Sequence, residues 1–151
     1  VDTPAVRAAS ALGLEFQVSK QGPVNSLEEA AAARGIEPHD LIKTLVVRRG
    51  SGDYVFMLVP GDGTFSWPKL RALLGVSRLS MPDAETARGV TGYARGTITP
   101  LGSSTAWPVI ADAGVVGRRI SIGGGAHGVG ITVDADALIA ALGAQVADVV
   151  D

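Results

Sequence analysis

Apolar residues recur at helical spacing in several stretches of the chain, and these stretches carry start and stop signals. Thr3, Ser26, Ser66 and Asp134 stand where an N-cap residue is expected, and a glycine follows each of these four stretches. A further short helix is predicted between Pro82 and the next glycine. The predicted helices cover residues 3–13, 25–35, 66–75, 82–89 and 134–143, with a single helical turn over 37–41.

Other stretches alternate apolar and polar residues or are rich in β-branched residues, as is typical of strands. Residues 41–49 and 54–60 flank the turn sequence GSGD and predict a hairpin, and residues 118–133 predict two strands joined by a glycine-rich turn. Further strands are predicted over residues 14–18, 77–81 and 107–112. Helices and hairpins are mixed without a regular β-α alternation. This order favours one α+β domain over residues 1–151, in which a mixed or antiparallel sheet curls into a barrel-like shape.

The composition narrows the class of protein. Hydrophobic residues make up 46% and charged residues 19%, so the chain can bury a globular core. No apolar run approaches the roughly 18 residues that span a bilayer, and the start VDTPAVRAAS lacks the basic and apolar regions of a signal peptide. A cytoplasmic protein without a membrane partner is therefore expected.

Cysteine is absent, which excludes disulfides, thiolate nucleophiles and cysteine zinc sites. Only His39 and His127 could serve a histidine-dependent metal site or catalytic triad. Ser103 and Ser104 have no histidine and aspartate context, which makes a serine hydrolase improbable. Neither a metal nor a cofactor is predicted.

Charge is unevenly distributed along the chain, although the net charge is only −2. Residues 43–119 hold ten Lys and Arg against five Asp and Glu, which indicates either a local basic face or an ordinary solvated surface. A protein that wraps a long duplex usually needs a more basic domain, so a DNA partner is not expected.

Lys43 interrupts the apolar strand LIKTLVV. Alternation places it on one face with Leu45 and Val47, and it places Ile42, Thr44 and Val46 on the other. The side chain either extends to solvent at a sheet edge or points into a cavity. A buried ammonium is costly unless it is paired, so a lysine in a cavity would meet an anionic ligand or act in catalysis. The residues alone leave both alternatives open.

The segment IGGGAHG holds four glycines in seven residues. Apolar strand residues follow it, so it matches neither a dinucleotide-binding loop nor a P-loop. It is either a flexible hairpin tip or a place where backbone approaches a ligand closely. His127 in this segment is a candidate general base or a surface residue, and Asp112 is a candidate functional carboxylate or a turn cap.

The loop TGYARGTITPLG, residues 91–102, is dense in glycine, threonine and proline and contains no obvious acid, base, nucleophile or metal ligand. Together with Lys43 in IKTLVV and the segments VPGD, WPKLRALLG, PVIAD and ISIGGGAHGVGITV, it forms an ordered series. This series resembles the YbaK family of aminoacyl-tRNA editing proteins, which is related to the editing domain of prolyl-tRNA synthetase. The resemblance covers about residues 5–142.

The resemblance implies a free-standing deacylase that hydrolyses the ester of a mischarged tRNA, most often tRNA(Pro) carrying a small amino acid such as Cys or Ala. The implied partners are the aminoacylated 3′ end of the tRNA and prolyl-tRNA synthetase. Lys43 would be the essential lysine and would hold the terminal adenosine's phosphate or the acyl group, while Gly96 and Pro100 would shape the pocket floor. The substrate-binding residues implied with them are Thr97, Thr99, Gly102, Asp112, Gly124, Gly125 and His127.

Three departures from the family pattern bear on the substrate. Ala137 stands before Leu138, where many relatives carry an aspartate, and His127 stands where relatives often carry a basic residue. SKQGPV follows the first strand, where relatives often have a histidine or tyrosine. Two alternatives to the tRNA deacylase therefore stay open, namely a non-catalytic module that binds a tRNA end, nucleotide or amino acid, and a hydrolase of another activated ester.

Overall fold

The computed structural model describes all 151 residues and has the expected α+β composition. The helices are α1 (Pro4–Ala11), α2 (Leu27–Ala33), α3 (Trp67–Leu74), α4 (Ala84–Thr91) and α5 (Ala135–Leu142), with 3-10 turns at Pro38–Asp40 and Ala113–Val115. The strands are β1 (Phe16–Lys20), β2 (Lys43–Gly50), β3 (Asp53–Val59), β4 (Val109–Asp112), β5 (Arg119–Gly123), β6 (Val129–Asp134) and β7 (Gln145–Ala147).

The helices begin where the sequence places their caps. The side chains of Thr3, Ser26, Ser66 and Asp134 each accept a hydrogen bond from the backbone N–H three residues further on. Each cap satisfies a donor that would otherwise be unpaired in the first helical turn. Asp83 caps α4 in the same way.

The strands form two sheets. The first has the order β1-β6-β5 and is antiparallel, and the second has the order β2-β3-β4-β7, with β2 antiparallel to β3 and the other pairs parallel. The sheets meet where Leu41 bridges Ser121, and the Ile42 N–H donates to the Ser121 carbonyl at 2.9 Å. This junction lies directly before Lys43, so it positions the start of β2.

Two strand expectations need correction. Residues 77–81 do not form a strand, because only Ser80 pairs, through one isolated bridge to Arg48. The short strand β7 was not expected from the sequence, and it is the second parallel partner of β4, beside β3. β7 has only three residues, and two of them are exposed. Its sequence therefore shows too little alternation of apolar and polar residues to predict a strand.

β2 separates two hydrophobic clusters. Ile42 and Val46 belong to the larger cluster, which α1, α5 and both sheets enclose, and Val47 packs with Leu70 of α3 in the smaller one. The predicted alternation of β2 is therefore correct, and it assigns Lys43 to the face of the smaller cluster. No helix is long and apolar enough to cross a membrane.

Candidate active site

A cavity of about 690 Å³ lies where the two sheets meet. Its lining comes from the start of β2, the N-terminal part of α4, the loop before Pro100, Arg34 after α2 and Gly123 of β5. The lining residues are Arg34, residues 41–46, residues 81–84, Ala87, Arg95, Gly96, Ile98 and Gly123. The cavity is therefore lined largely by segments distant in sequence that meet at one sheet junction.

Lys43 is the first residue of β2 and lies on this cavity. Its side chain is exposed, and its ammonium donates a hydrogen bond of 2.7 Å to the carbonyl oxygen of Gly63 in the loop after β3. An ammonium has three N–H donors, so two remain for another acceptor. Lys43 is thus held in place and still able to donate.

Gly96 lies on the same cavity and has φ +86°, a conformation that side-chain-bearing residues rarely adopt. A Cβ at Gly96 would lie 3.6 Å from Cε1 of His127, so the histidine ring borders this part of the loop. The backbone N–H groups of Gly96 and Ile98 form no hydrogen bond within the protein. They are therefore available to an oxygen bound in the cavity.

The next part of the loop, residues 99–101, faces the interior. Thr99 and Pro100 are buried, and the Leu101 carbonyl accepts a 2.6 Å hydrogen bond from the Tyr93 hydroxyl. A Cβ at Gly102 would lie 2.6 Å from the carbonyl oxygen of Pro4. Residues 99–102 thus hold the loop against α1 and do not line the cavity. Thr97, which donates to the Ala94 carbonyl at 2.7 Å, closes the turn on which Gly96 lies.

The glycine-rich segment 123–128 contacts both α1 and the cavity. The carbonyl of Gly124 accepts a 2.6 Å hydrogen bond from Thr3, and Gly125 packs against Tyr93 and Ala5, so both contact the α1 side. Gly123 lines the cavity, and a Cβ there would lie 3.1 Å from the Ile98 carbonyl. His127 lines a second cavity of about 510 Å³ together with Gln21, Pro23, Val24, Ala30, Arg34 and neighbouring glycines.

Asp112 is buried away from the cavity. Its carboxylate accepts hydrogen bonds from the Gly114 N–H at 2.8 Å and from the Val149 N–H at 3.0 Å. It therefore caps the 3-10 turn after β4 and ties that turn to the C-terminal segment. Of the residues singled out in the sequence, the structure brings Lys43 and Gly96 to the cavity and His127 to its border.

Three further residues line this cavity, namely Arg34, Arg95 and Gly123. Arg34 stands in no pattern that distinguishes it from an ordinary helix end, whereas Arg95 and Gly123 lie within the segments TGYARGTITPLG and IGGGAHG without standing out individually. Asp83 is the one carboxylate of the lining, and the hydrogen bond from the Thr86 N–H lowers its pKa. The cavity thus has three cationic side chains against one anion, which favours an anionic ligand. The structure has no group of three His, Asp or Glu side chains suited to a metal ion.

A model of the aminoacyl-tRNA editing domain matches residues 21–141, which is most of the chain. The chain belongs to this family. This confirms the resemblance to YbaK proteins that Lys43 and the glycine-rich segments indicate.

The editing domain has relatives among longer and free-standing proteins. It is 30% identical over 139 residues to the proline–tRNA ligase of Syntrophotalea carbinolica, covering 89% of this chain and 23% of the ligase. It is 26% identical over 125 residues to Enterococcus faecalis EbsC, named as a candidate Cys-tRNA(Pro)/Cys-tRNA(Cys) deacylase, covering 82% and 76%. The editing domain therefore spans less than a quarter of this ligase.

Two crystal structures share the fold of the editing domain along nearly its whole length. A candidate trans-editing enzyme for prolyl-tRNA synthetase matches with a TM-score of 0.87 and 28% identity, covering 100% of this chain and 99% of the other. The hypothetical protein APE2540 matches with a TM-score of 0.88 and 26% identity, covering 99% and 100%. These matches confirm the predicted α+β editing-domain fold.

His39 joins two loops outside the cavity, and this contact makes part of the stability depend on pH. Its Nδ1 lies 2.8 Å from Asp62 Oδ1, and its Nε2 lies 2.9 Å from the Gly114 carbonyl. Only the imidazolium donates both bonds. The bond to the Gly114 carbonyl, and after it the bond to Asp62, raises the pKa of His39, while partial burial and, to a lesser extent, the charge of Arg118 oppose this rise.

Because the folded pKa of His39 is raised, its stabilisation is complete below the ordinary value of about 6.5 and is lost as the pH rises through the folded pKa. His39→Gln should therefore lower the free energy of unfolding more at about pH 5.5 than at about pH 8.5, by less than about 1 kcal/mol for this partly exposed pair. Urea unfolding at both pH values measures this, with His127→Gln as the control, since His39 and not His127 forms an ion pair. Equal effects of His39→Gln at the two pH values would refute the pH dependence.

Proposed function

We propose that this chain is a trans-editing deacylase that hydrolyses the ester of a mischarged tRNA, namely tRNA(Pro) carrying a small amino acid such as Cys or Ala. The observation that carries the proposal is the meeting of Lys43 and Gly96 at one cationic cavity with unpaired backbone N–H groups. Family membership supports the reaction class. The names of the Enterococcus relative and of the structural neighbour support the tRNA.

The reaction suits a cavity with few reactive side chains. An aminoacyl ester is already activated, so positioning a water against its carbonyl carbon supplies much of the required acceleration. The water oxygen attacks that carbon, the bond to the ribose oxygen breaks, and the ribose oxygen regains a proton. The products are the free amino acid and the uncharged tRNA.

The backbone of the loop supplies the electrostatic part of this mechanism. The N–H groups of Gly96 and Ile98 have no acceptor in the protein and both residues line the cavity, so these groups are the proposed donors to the oxyanion that forms during attack. Such donors contribute about 3–4 kcal/mol each in other hydrolases. Lys43 holds the acyl group or the terminal phosphate with its two remaining donors, and the carbonyl of Gly63 fixes its direction.

The dimensions of the cavity agree with a terminal adenosine and a small acyl group. Its volume of about 690 Å³ lies within the usual range for small-molecule sites. Because one methylene contributes only about 1–3 kcal/mol of discrimination, a pocket that excludes proline and admits smaller residues provides a second selection step. The turn around Gly96, which the hydrogen bond from Thr97 to the Ala94 carbonyl closes, serves that purpose. Prolyl-tRNA synthetase is the proposed protein partner.

A non-catalytic binding module is the second candidate. Asp136 cannot replace the aspartate that relatives carry before Leu138, because its side chain accepts a hydrogen bond of 2.9 Å from the Gly117 N–H outside the cavity. A cavity whose single carboxylate caps a helix could bind a tRNA end without promoting hydrolysis.

Release of amino acid from tRNA(Pro) charged with Ala, Cys, Ser or Pro separates these candidates. We expect the purified protein to hydrolyse at least one of the three small aminoacyl esters and to spare Pro-tRNA(Pro). Tight binding of a charged-tRNA analogue without hydrolysis would establish the binding module instead. If every substrate releases its amino acid only at the spontaneous rate in buffer, and the charged-tRNA analogue does not bind, both candidates are excluded.

Gly96→Ala tests the part of the loop that lines the cavity. Positive φ should cost the alanine variant about 1–2 kcal/mol of folding free energy, and displacement of the loop N–H groups should lower deacylation by about tenfold or more. Gly52→Ala is the matched control, since Gly52 also has positive φ (+66°) but lies in the β2–β3 turn. Equal activity of the two variants, at similar thermal stability, would count against a role for Gly96 in the reaction.

A further inference from the structure

Arg34 ends α2 and inserts its guanidinium between α2 and the first sheet. Its Nη1 donates a hydrogen bond of 3.0 Å to Oγ of Ser121, a fully buried residue of β5. On β6 the guanidinium lies against Gly130, where a Cβ would be 2.7 Å from Arg34 Cζ. Any larger residue at position 130 would displace the arginine, so the sheet leaves a slot for this side chain.

The Arg34 side chain has no anionic partner in the protein. Arg7, Arg49 and Arg118 form ion pairs with aspartates, whereas Arg34 forms none. Its Nε is buried and has no hydrogen-bond partner, and burial lowers the pKa of the group. A desolvated cation with unused donors is costly unless a ligand pairs with it.

Arg34 also lies between two cavities. It lines the main cavity, and it also lines the second cavity with Gln21, His127 and Gly128. The side-chain oxygen of Gln21 is buried there without a hydrogen-bond partner. A chain-like ligand whose end occupies the main cavity can therefore continue past Arg34 into the second one.

The chemistry of the proposed substrate indicates what Arg34 binds. The carboxyl group of an aminoacyl ester carries no charge, and its amine is cationic or neutral. The anionic groups nearest to the ester are the phosphates of the RNA backbone. A planar guanidinium pairs with a phosphate through two parallel hydrogen bonds, which an ammonium cannot do.

We propose that Arg34 binds the phosphodiester that joins the terminal adenosine to the preceding nucleotide, and that the RNA strand continues into the second cavity beside Gln21 and His127. This inference rests on the proposed function of the main cavity. It assigns the phosphate to Arg34 and leaves Lys43 for the acyl group. Arg34 is thus a positioning residue for the RNA.

The test compares two substrates that differ in that phosphate. Aminoacyl-tRNA contains it, and 2′(3′)-O-aminoacyl-adenosine does not. Arg34→Gln should raise KM for the tRNA by about tenfold or more, the loss expected for a charge-assisted hydrogen bond, with kcat unchanged. KM for the aminoacyl-adenosine should stay within about twofold of the wild-type value. Arg71→Gln on α3, which lines neither cavity, should change neither substrate's kinetics.

Binding of the trinucleotide CCA, measured by fluorescence anisotropy, gives a readout that does not require turnover. Arg34→Gln should weaken it by about tenfold and reduce its salt dependence by about one phosphate contact. Arg34→Lys keeps the positive charge but loses the planar guanidinium, so it should bind CCA with intermediate affinity. This variant replaces Arg34→Gln in the test if the glutamine variant does not fold. An equal rise in KM for the tRNA and for the aminoacyl-adenosine, or unchanged CCA binding in folded variants, would overturn the proposal. Wild-type protein that binds CCA through Arg34 but hydrolyses neither substrate would refute only the deacylase function.

Discussion

Lys43→Ala is expected to lower the deacylation rate by about 100- to 1,000-fold, a loss typical for removal of one preorganised donor. The protein should remain folded, because the Lys43 side chain is exposed and forms a single hydrogen bond, to the carbonyl of Gly63. Such a bond contributes only about 0.5–1.5 kcal/mol to stability. Single-turnover release of labelled amino acid, with thermal unfolding of the same sample, measures both effects.

Lys69→Ala is the matched control for this variant. The Lys69 ammonium also donates to a backbone carbonyl, that of Val150, and it pairs with Asp148 on the surface. It lies on α3 and does not line the main cavity. We expect Lys69→Ala to keep full activity. Full activity in Lys43→Ala, equal to that of Lys69→Ala, would mean that Lys43 takes no part in the reaction.

Gly61→Ala is expected to destabilise the fold strongly. A methyl group at this position would lie 2.5 Å from the carbonyl oxygen of Pro38 and closer still to that of Leu41. Both oxygens belong to the backbone and cannot rotate away. The substitution should cost about 3 kcal/mol, which corresponds to a decrease of roughly 6–12 °C in Tm for a protein of this size.

Activity should fall together with stability in Gly61→Ala, because the clash acts on the segment that leads into Lys43 and β2. Gly50→Ala is the control, since the nearest atom to a Cβ at Gly50 is 4.0 Å away. Denaturant unfolding of the two variants gives the comparison. A Gly61→Ala protein as stable as Gly50→Ala would show that the loop after β3 moves freely from Pro38 and Leu41.

The features that could be predicted from the sequence are those that depend on neighbouring residues. Caps such as Ser26 and Asp134 act on N–H groups three residues away, so their pattern is visible in the chain itself. The alternation of β2 likewise assigned Lys43 to a face before any partner strand was known. The family resemblance then supplied what the local pattern left open, namely that this lysine meets a ligand cavity.

The remaining features depend on contacts between distant parts of the chain. Arg34 reaches Ser121 across 87 positions, and nothing near Arg34 distinguishes it from an ordinary helix end. Gly124 and Gly125 resemble part of a ligand-binding loop in the sequence. In the structure they lie on the α1 side, where Gly124 accepts a hydrogen bond from Thr3 and Gly125 packs against Tyr93. The role of Asp112 could not be predicted either, because Val149, whose N–H donates to it, lies 37 positions away near the end of the chain.

The loop TGYARGTITPLG combines both kinds of feature. The sequence shows that the loop lacks reactive side chains. It does not show that the loop divides into two parts with different contacts. Arg95, Gly96 and Ile98 contribute to the cavity wall, while residues 99–102 hold the loop against α1. The backbone chemistry proposed for the loop is therefore concentrated at Gly96 and Ile98.

The most direct test of the account is a multiple-turnover measurement with a large excess of Cys- or Ala-charged tRNA(Pro) over the protein. We predict that amino acid release exceeds the amount of protein many times, above the spontaneous rate, and that Lys43→Ala reduces release to near that background. Release that stops at one equivalent, or that Lys43→Ala leaves unchanged, would contradict a catalytic role for this cavity.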